Sequence, residues 1–413
     1  MSRTRSVSPV VPIFLAAFLL VHVLVAWMGW VYPSQPMGDV VLVYDPWSRD
    51  ALAGGAIVGV DVSWVYPQLA LLPMLAAQGI ASVIAPLTGA ASSYLVAWIV
   101  QVTILDLIAF ALLLGRGRAR SRLWAAAFWV VALLALGPIA LYRIDAVTVP
   151  LGVLGALWLV GRPRVAAVLL TVGAWIKIWP GVLIAAGVVL LRQRLTLLIA
   201  GAGVSVLVAL AVVFAGGGAH LLGFLTEQGD RGLQVEAVAA TPFLWMAAAG
   251  SAVIAYDFDI LTFQVSARGV DQVASLLTPL LVLGVVGLLA LAVWRVRGGA
   301  SALRLLPPLV LALATALIVC NKVGSPQFQT WLLAPVVLWI VWDRRRALAP
   351  AILVLVLCAL TCVVYPLTYD SLLRAEWGPI LVLSARNVLL VVLLVVSVRR
   401  MVQERSPLLS NQG

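Results

Sequence analysis

Charge is what this 413-residue chain has least of. Only 10% of its residues are Asp, Glu, Lys or Arg, whereas 63% are hydrophobic, and the mean hydropathy is +1.11. So little charge cannot solvate the surface of a soluble protein of this size, and apolar runs of 18 or more residues recur along the chain. Histidine is almost absent. His22 sits within the first apolar run and reads as a packed residue, while His220 opens a polar loop. Neither joins a His/carboxylate cluster with ligand spacing, so no metal site is expected. The three cysteines, Cys320, Cys358 and Cys362, lie in or beside apolar segments and read as free buried thiols. A Gly-rich phosphate loop is missing too: "AGGGAH" (215–220) lacks the Lys-Ser/Thr pair that cradles a nucleotide. Nucleotide-sugar donors and bound cofactors are therefore not expected.

What charge there is follows a pattern. The formal net charge of +11 comes from short basic clusters between apolar runs: "RGRARSR" (116–122), "RPR" (162–164), "RQR" (192–194), "RVR" (295–297), Arg304 and "RRR" (344–346). Arg3, Arg5, Arg399, Arg400 and Arg405 add to it near the termini. Clusters of this kind hold loops in the cytoplasm, so the basic balance is topology and not a nucleic-acid footprint. Most acidic residues fall in the intervening loops. The expectation is an all-α polytopic protein of the plasma membrane with both termini cytoplasmic. Its twelve spans are 10–30, 91–114, 123–141, 146–160, 165–177, 178–191, 195–215, 272–294, 303–320, 329–342, 348–366 and 378–398. Residues 1–400 form one domain with a first outer loop at 31–90, and 401–413 form a short polar cytoplasmic tail. The parity of the basic loops leaves 67–86 and 243–256 as helices lying on, or dipping into, the outer face. Residues 165–191 make two short legs of about 20 Å each, less than the ~30 Å apolar thickness of a bilayer. An outward-facing hollow above "WIKIWP" (175–180), with Lys177 at its floor, is the expected consequence.

Four outer segments concentrate polar groups beside aromatics: "GDVVLVYDPWSRD" (38–50), "YRIDAVTVP" (142–150), "TEQGDRGLQVEAVAATP" (226–242) and "CNKVGSPQFQTWLLAP" (320–335). Carboxylates with aromatic rings suit sugar hydroxyls and ring faces, and Arg or Lys suits a phosphate. Trp27, Trp30, Trp98, Trp342 and Trp377 stand near span ends as interface anchors, whereas Trp64, Trp175 and Trp179 are candidates for the wall of the hollow. Within the spans, Asp106 and Arg386 read as a structural ion pair or, for Arg386 beside Asn387, as a snorkelling arginine.

Taken in order, "GDVVLVY", "VYPQLALL", "YRIDA", "WIKIWP", "RGLQVEAVAATP" and "KVGSPQFQTWLLAP" resemble the integral-membrane glycosyltransferases of family 87 in the GT-C class. That group includes actinobacterial polyprenyl-phosphate-mannose-dependent α-mannosyltransferases. The resemblance spans roughly residues 35 to 335. Gln68 stands where the family carries a second proline after Tyr-Pro, and Glu236 is followed by Ala237 where a hydroxyl residue is expected.

The resemblance implies a GT-C helical bundle of about twelve transmembrane helices, whose outer loops and short re-entrant helices enclose a periplasmic-side cavity. It implies that the chain moves a mannosyl or related unit, with inversion, from a polyprenyl-phosphate sugar to a hydroxyl of a glycolipid or cell-envelope glycan. Asp39 matches the acidic residue that serves such enzymes as catalytic base. Lys322, Lys177, Arg143 and Arg231, in that order of preference, are the candidate partners of the donor phosphate. Asp45, Tyr44, Tyr66, Asp145, Glu236, Ser325, Gln327 and His220 are the candidate substrate contacts. The partners implied are the lipid-linked donor, the glycan acceptor and membrane lipids. The alternative is a transporter or flippase for polyprenyl-linked sugars, although no inverted repeat is visible and the polar residues crowd the outer loops instead of the mid-membrane.

Overall fold

The computed structural model describes residues 7–229, 231–258 and 262–404. Arg3, Arg5, Asp230, Asp259, Arg405 and nearly all of the expected tail lie outside the described residues. Helix dominates, because the long runs of Leu, Val, Ala and Ile contain few residues that compete for backbone hydrogen bonds. Nine of the described helical segments are long and apolar enough to cross a membrane. The architecture is thus that of a multi-pass helical membrane protein.

Helix α1 (Val10–Val31) leads into a first long loop that contains α2 (Asp45–Leu52). Helix α3 (Leu71–Thr88) and α4 (Ala90–Leu114) form a tight pair about Gly89, whose φ of +78° lies in the region that favours glycine. Then follow α5 (Arg120–Leu136), α6 (Asp145–Trp158), α7 (Pro163–Ile176), α8 (Gly181–Leu190) and α9 (Arg194–Phe214). A second long connecting segment carries α10 (Gly223–Gly229), α11 (Thr241–Ala248) and an antiparallel hairpin of β1 (Val253–Asp257) with β2 (Thr262–Ser266). The remaining elements are α12 (Val270–Arg297), α13 (Ala302–Val319), α14 (Leu333–Cys362), α15 (Tyr369–Leu373) and α16 (Trp377–Val402).

Several expectations change here. The span expected at 146–160 forms a helix of only 14 residues, whereas the two legs expected to be short, 165–177 and 178–191, are so, with helices of 14 and 10 residues; all three are below the length that crosses a bilayer. The spans expected at 329–342 and 348–366 lie in one 42-residue helical run, which breaks between them where Asp343 leaves helical geometry (φ −149°, ψ 82°) and again at Tyr365 (φ −134°, ψ 124°). A count of twelve separate crossings is therefore not what the helices give. Residues 67–86 form a segment, Gln68–Thr88, that itself meets the length and apolarity of a span. It folds back on the first half of α4, where Gln101 and Tyr94 donate to the carbonyls of Pro73 and Met74. The stretch 243–256 is not one helix: α11 stops at Ala248, and β1 begins at Val253.

Burial separates two kinds of helix. α13 is enclosed on nearly every side, so it is the axis of the bundle. α9 and α12 turn Leu195, Ile199, Leu207, Phe214, Leu276 and Leu283 outward. Water penalises apolar faces of this size and hydrocarbon does not. The intramembrane charges are paired. His22 Nε2 meets Asp106 Oδ2 at 3.2 Å, and Arg386 meets Glu236 at 2.6 Å. The expected structural ion pair or snorkelling arginine thus becomes two separate pairs, and Asp106 and Arg386 do not pair with each other. The three cysteines are free thiols.

Candidate functional site

The site begins with a local anomaly. Asp39–Tyr44 forms a single π-helical turn running directly into α2. Its wider winding brings positions five apart together, and the Tyr44 hydroxyl donates to Asp39 Oδ2 at 3.4 Å. Tyr44 is fully buried and also accepts from the Ile144 amide at 3.1 Å, which ties the first loop to the start of α6.

Arg143 completes this corner. Its Nε lies 3.4 Å from Asp39 Oδ2. Its Nη1 donates to the carbonyls of Pro36 (2.8 Å) and Tyr142 (3.0 Å), and its Nη2 donates to the Tyr365 hydroxyl at 3.0 Å. The backbone beneath is held by a close approach: a side chain at Gly29 would collide with the Tyr142 ring, 2.1 Å away. The Tyr142 hydroxyl donates to the Ala26 carbonyl. The guanidinium expected on a donor phosphate thus has four protein partners: Asp39, the Pro36 and Tyr142 carbonyls and the Tyr365 hydroxyl. The Asp39 side chain keeps 35% of its surface open while Arg143 keeps 6%.

Beside this corner lies a cavity of about 340 Å³. Lys177, Arg231, Lys322, Ser325, Gln327 and Tyr66 all line it. Lys177 is the residue on which α7 ends, in an extended conformation that breaks the hairpin. Its Nζ lies 4.4 Å from the centroid of the Tyr66 ring and 5.9 Å from that of Phe328, distances at which a cation is held by the ring faces. Burial, then the Asp39 and Asp145 carboxylates, push the Tyr66 hydroxyl well above its usual range. It stays protonated and remains a hydrogen-bond donor between the cavity and the Asp39 corner. Asp145 lies fully buried below. Its Oδ1 accepts from Trp331 Nε1 at 2.6 Å, and its Oδ2 has no protein partner. Trp331 also lines the cavity.

The segment "KVGSPQ" reaches the cavity because Gly324 passes against the backbone of residues 236 and 237. A Cβ there would stand 2.0 Å from the Ala237 amide nitrogen, so only glycine permits the approach. The amide of Gln234 in turn donates to the Lys322 carbonyl at 3.0 Å.

Ile178 and Phe224 line this cavity and also a second, adjoining one of about 540 Å³ between α7, α8 and α9. The second is bordered by Ala174, Trp175, Ile184, Val188, Leu197 and Ala202 among others, and it is mostly apolar. A chamber bearing three cationic side chains therefore adjoins an apolar groove at Ile178 and Phe224.

Three expected contacts stand elsewhere. Asp45 accepts from Arg49 (2.6 Å) and Gln78 (2.8 Å), joining α2 to α3. The carboxylate of Glu236 is buried and paired with Arg386 at 2.6 Å. His220 bonds Ser63 at 3.1 Å and borders the first loop. Of the three tryptophans, Trp175 borders the groove, Trp179 is buried and donates to Thr148, and Trp64 packs edge-on against Trp47 and Tyr66. Sequence reasoning missed Tyr365 and Trp331 as parts of the site. The Tyr-Pro pair at 365–366 and the Trp inside "KVGSPQFQTW" were the available signals. Among the described residues, no three His, Cys, Asp or Glu side chains gather as a metal-holding group. Comparisons with protein-family models, with curated proteins and with solved structures return no match for this chain.

Proposed function

We propose that the protein is an inverting glycosyltransferase of the outer membrane face, moving a mannosyl or related unit from a polyprenyl-phosphate sugar to a hydroxyl of a glycolipid or envelope glycan. The observation that carries this reading is that a chamber bearing three cations and an apolar groove adjoin at Ile178 and Phe224. A donor with a phosphate head and an isoprenoid tail has that same division.

In this reading Lys177, Arg231 and Lys322 face the phosphate, and the tail follows the groove. The acceptor oxygen attacks the anomeric carbon while the carbon–oxygen bond to phosphate breaks. Asp39 takes the hydroxyl proton, and the phosphate departs as an anion that needs positive charge but no proton from an acid. One carboxylate is enough, unlike glycoside hydrolysis with its pair. Arg143 and Tyr44 hold Asp39 in place, and the partial exposure of Asp39 leaves room for an acceptor.

The test is purified protein in lipid with radiolabelled polyprenyl-phosphate mannose and a glycolipid acceptor pool. Wild type should form a labelled glycoside, and Asp39→Asn should bind donor without forming product. Lipid-linked sugar that crosses the bilayer with no new glycosidic bond would replace this reading with transport.

A further inference from the structure

A third cavity lies at the other end of α13. The first chamber borders Leu317 and Cys320 near the end of this helix, whereas this one borders Leu303, Arg304 and Pro307 at its start. It measures about 720 Å³ and is also walled by Trp339, Trp342 and Arg346. The arginine-rich loops mark this end as cytoplasmic under the positive-inside rule.

Three arginines from three elements converge here on one residue. Arg346, just beyond the kink at Asp343, pairs with Glu404 Oε2. Arg304 Nη1 at the start of α13 lies 3.5 Å from Glu404 Oε1. Arg295 in the last turn of α12 donates to the Glu404 carbonyl, and its Nε is buried without a partner. Glu404 itself is only 3% exposed. The other carboxylate of the cavity, Asp343, caps the Arg346 amide at 3.2 Å. Arg304 and Arg346 line the cavity itself, and Arg295 stands behind Glu404 with one guanidinium nitrogen still unsatisfied, so displacing the Glu404 carboxylate would leave these cations without their main counterion. Arginine forks that hold a carboxylate from several sides match a phosphate at least as well, since phosphate offers more acceptor oxygens and more charge. Trp339 and Trp342 supply the amphipathic ring surfaces suited to the headgroup level of a bilayer.

We propose that this cavity is a binding site for an anionic phosphate group, that of a lipid headgroup or a free phosphate, and that Glu404 is a built-in carboxylate plug occupying it. The site is separate from the glycosyl-transfer reading and does not depend on it. A basic pocket between helices on the cytoplasmic side is a physically reasonable seat for an anionic lipid. Because Glu404 and the phosphate compete for the same arginines, losing the carboxylate should strengthen binding.

The experiment is native mass spectrometry of the full chain released from bilayers of phosphatidylcholine mixed with phosphatidylglycerol, read as lipid retained per protein, with and without inorganic phosphate. Phosphatidylglycerol should be retained in preference to phosphatidylcholine. Arg304→Gln combined with Arg346→Gln should lower that retention about tenfold, and Glu404→Gln should raise it several-fold. Retention indifferent to inorganic phosphate assigns the site to lipid. Binding of inorganic phosphate with displacement of the lipid assigns it to a soluble phosphate. Equal retention of the two lipids with no phosphate binding, or a Glu404→Gln variant that binds no more tightly than wild type, overturns the proposal. Glu404→Gln preserves size and keeps hydrogen-bond capacity, so this arm survives even if the double arginine variant fails to fold.

Discussion

Arg143 reaches Asp39 with its Nε, at 3.4 Å, while its two terminal nitrogens are spent on the Pro36 and Tyr142 carbonyls and the Tyr365 hydroxyl. A cation so fully tethered cannot move to follow a substrate. It can hold a carboxylate at a fixed position. That relationship places the first loop, the start of α6 and the end of the α14 run at one point.

Asp39→Asn keeps shape and removes the proton acceptor. Transfer from the lipid-linked donor should fall by about 10²–10⁴-fold, the usual contribution of a general base. Donor affinity should stay within a few-fold of wild type. Single-turnover kinetics with equilibrium donor binding measures both. A fully active variant would sink the assignment of Asp39.

Tyr365→Phe deletes one anchor of Arg143 without touching Asp39. The loss should be about 1–2 kcal/mol of stability, typical of a hydrogen bond to a charged group. Turnover should drop while the donor dissociation constant holds. Unfolding in mild detergent and initial rates together read the effect, and unchanged rates would mean that Arg143 does not position the base.

The three chamber cations should differ from Asp39 in kind. Lys177→Met, Arg231→Gln and Lys322→Met should each weaken donor binding roughly tenfold, equivalent to about 1.4 kcal/mol. A prenyl phosphate lacking sugar, used as competitor, should show the same losses, because phosphate is what those cations face. Equal competition against wild type and all three variants would remove the chamber from the phosphate site.

Ile178→Asp puts a charge where chamber and groove meet. It should weaken a long-chain donor much more than a donor truncated to a single isoprene unit, since each buried methylene contributes ~0.8 kcal/mol. A chain-length series of inhibition constants reports this. Parallel losses for long and short chains would separate the groove from the tail.

Glu236→Gln breaks a pair in which both partners are almost wholly buried. The variant should lose about 3–5 kcal/mol of stability, because Arg386 keeps its charge without a counterion. Activity per folded molecule should persist. Loss of catalysis in variant protein that remains folded would return Glu236 to the substrate side of the site.

Composition and charge order determine much of this protein by themselves. Few charges and repeated apolar runs leave a helical bundle as the natural solution, because every backbone polar group in hydrocarbon must find a partner within its own segment. The basic clusters mark one end of the bundle. The shortness of 165–191 implies a break at "WIKIWP", and Lys177 does end α7 beside a cavity. Local pattern also brings Asp39, Lys177, Arg231, Lys322, Ser325 and Gln327 to notice as polar residues in apolar surroundings. Tertiary structure alone decides which of them meet. Arg143 and Lys177 are both cations beside aromatics in the sequence, yet one is bound to Asp39 and the other lines the chamber. Glu236 and Arg386 lie 150 positions apart and find each other only when α16 packs against the loop bearing Glu236. Pairings of this kind have no periodic signature. They depend on how rigid helices stack, and one sequence of apolar spans leaves that stacking to side-chain packing and to the partners each buried charge is forced to find.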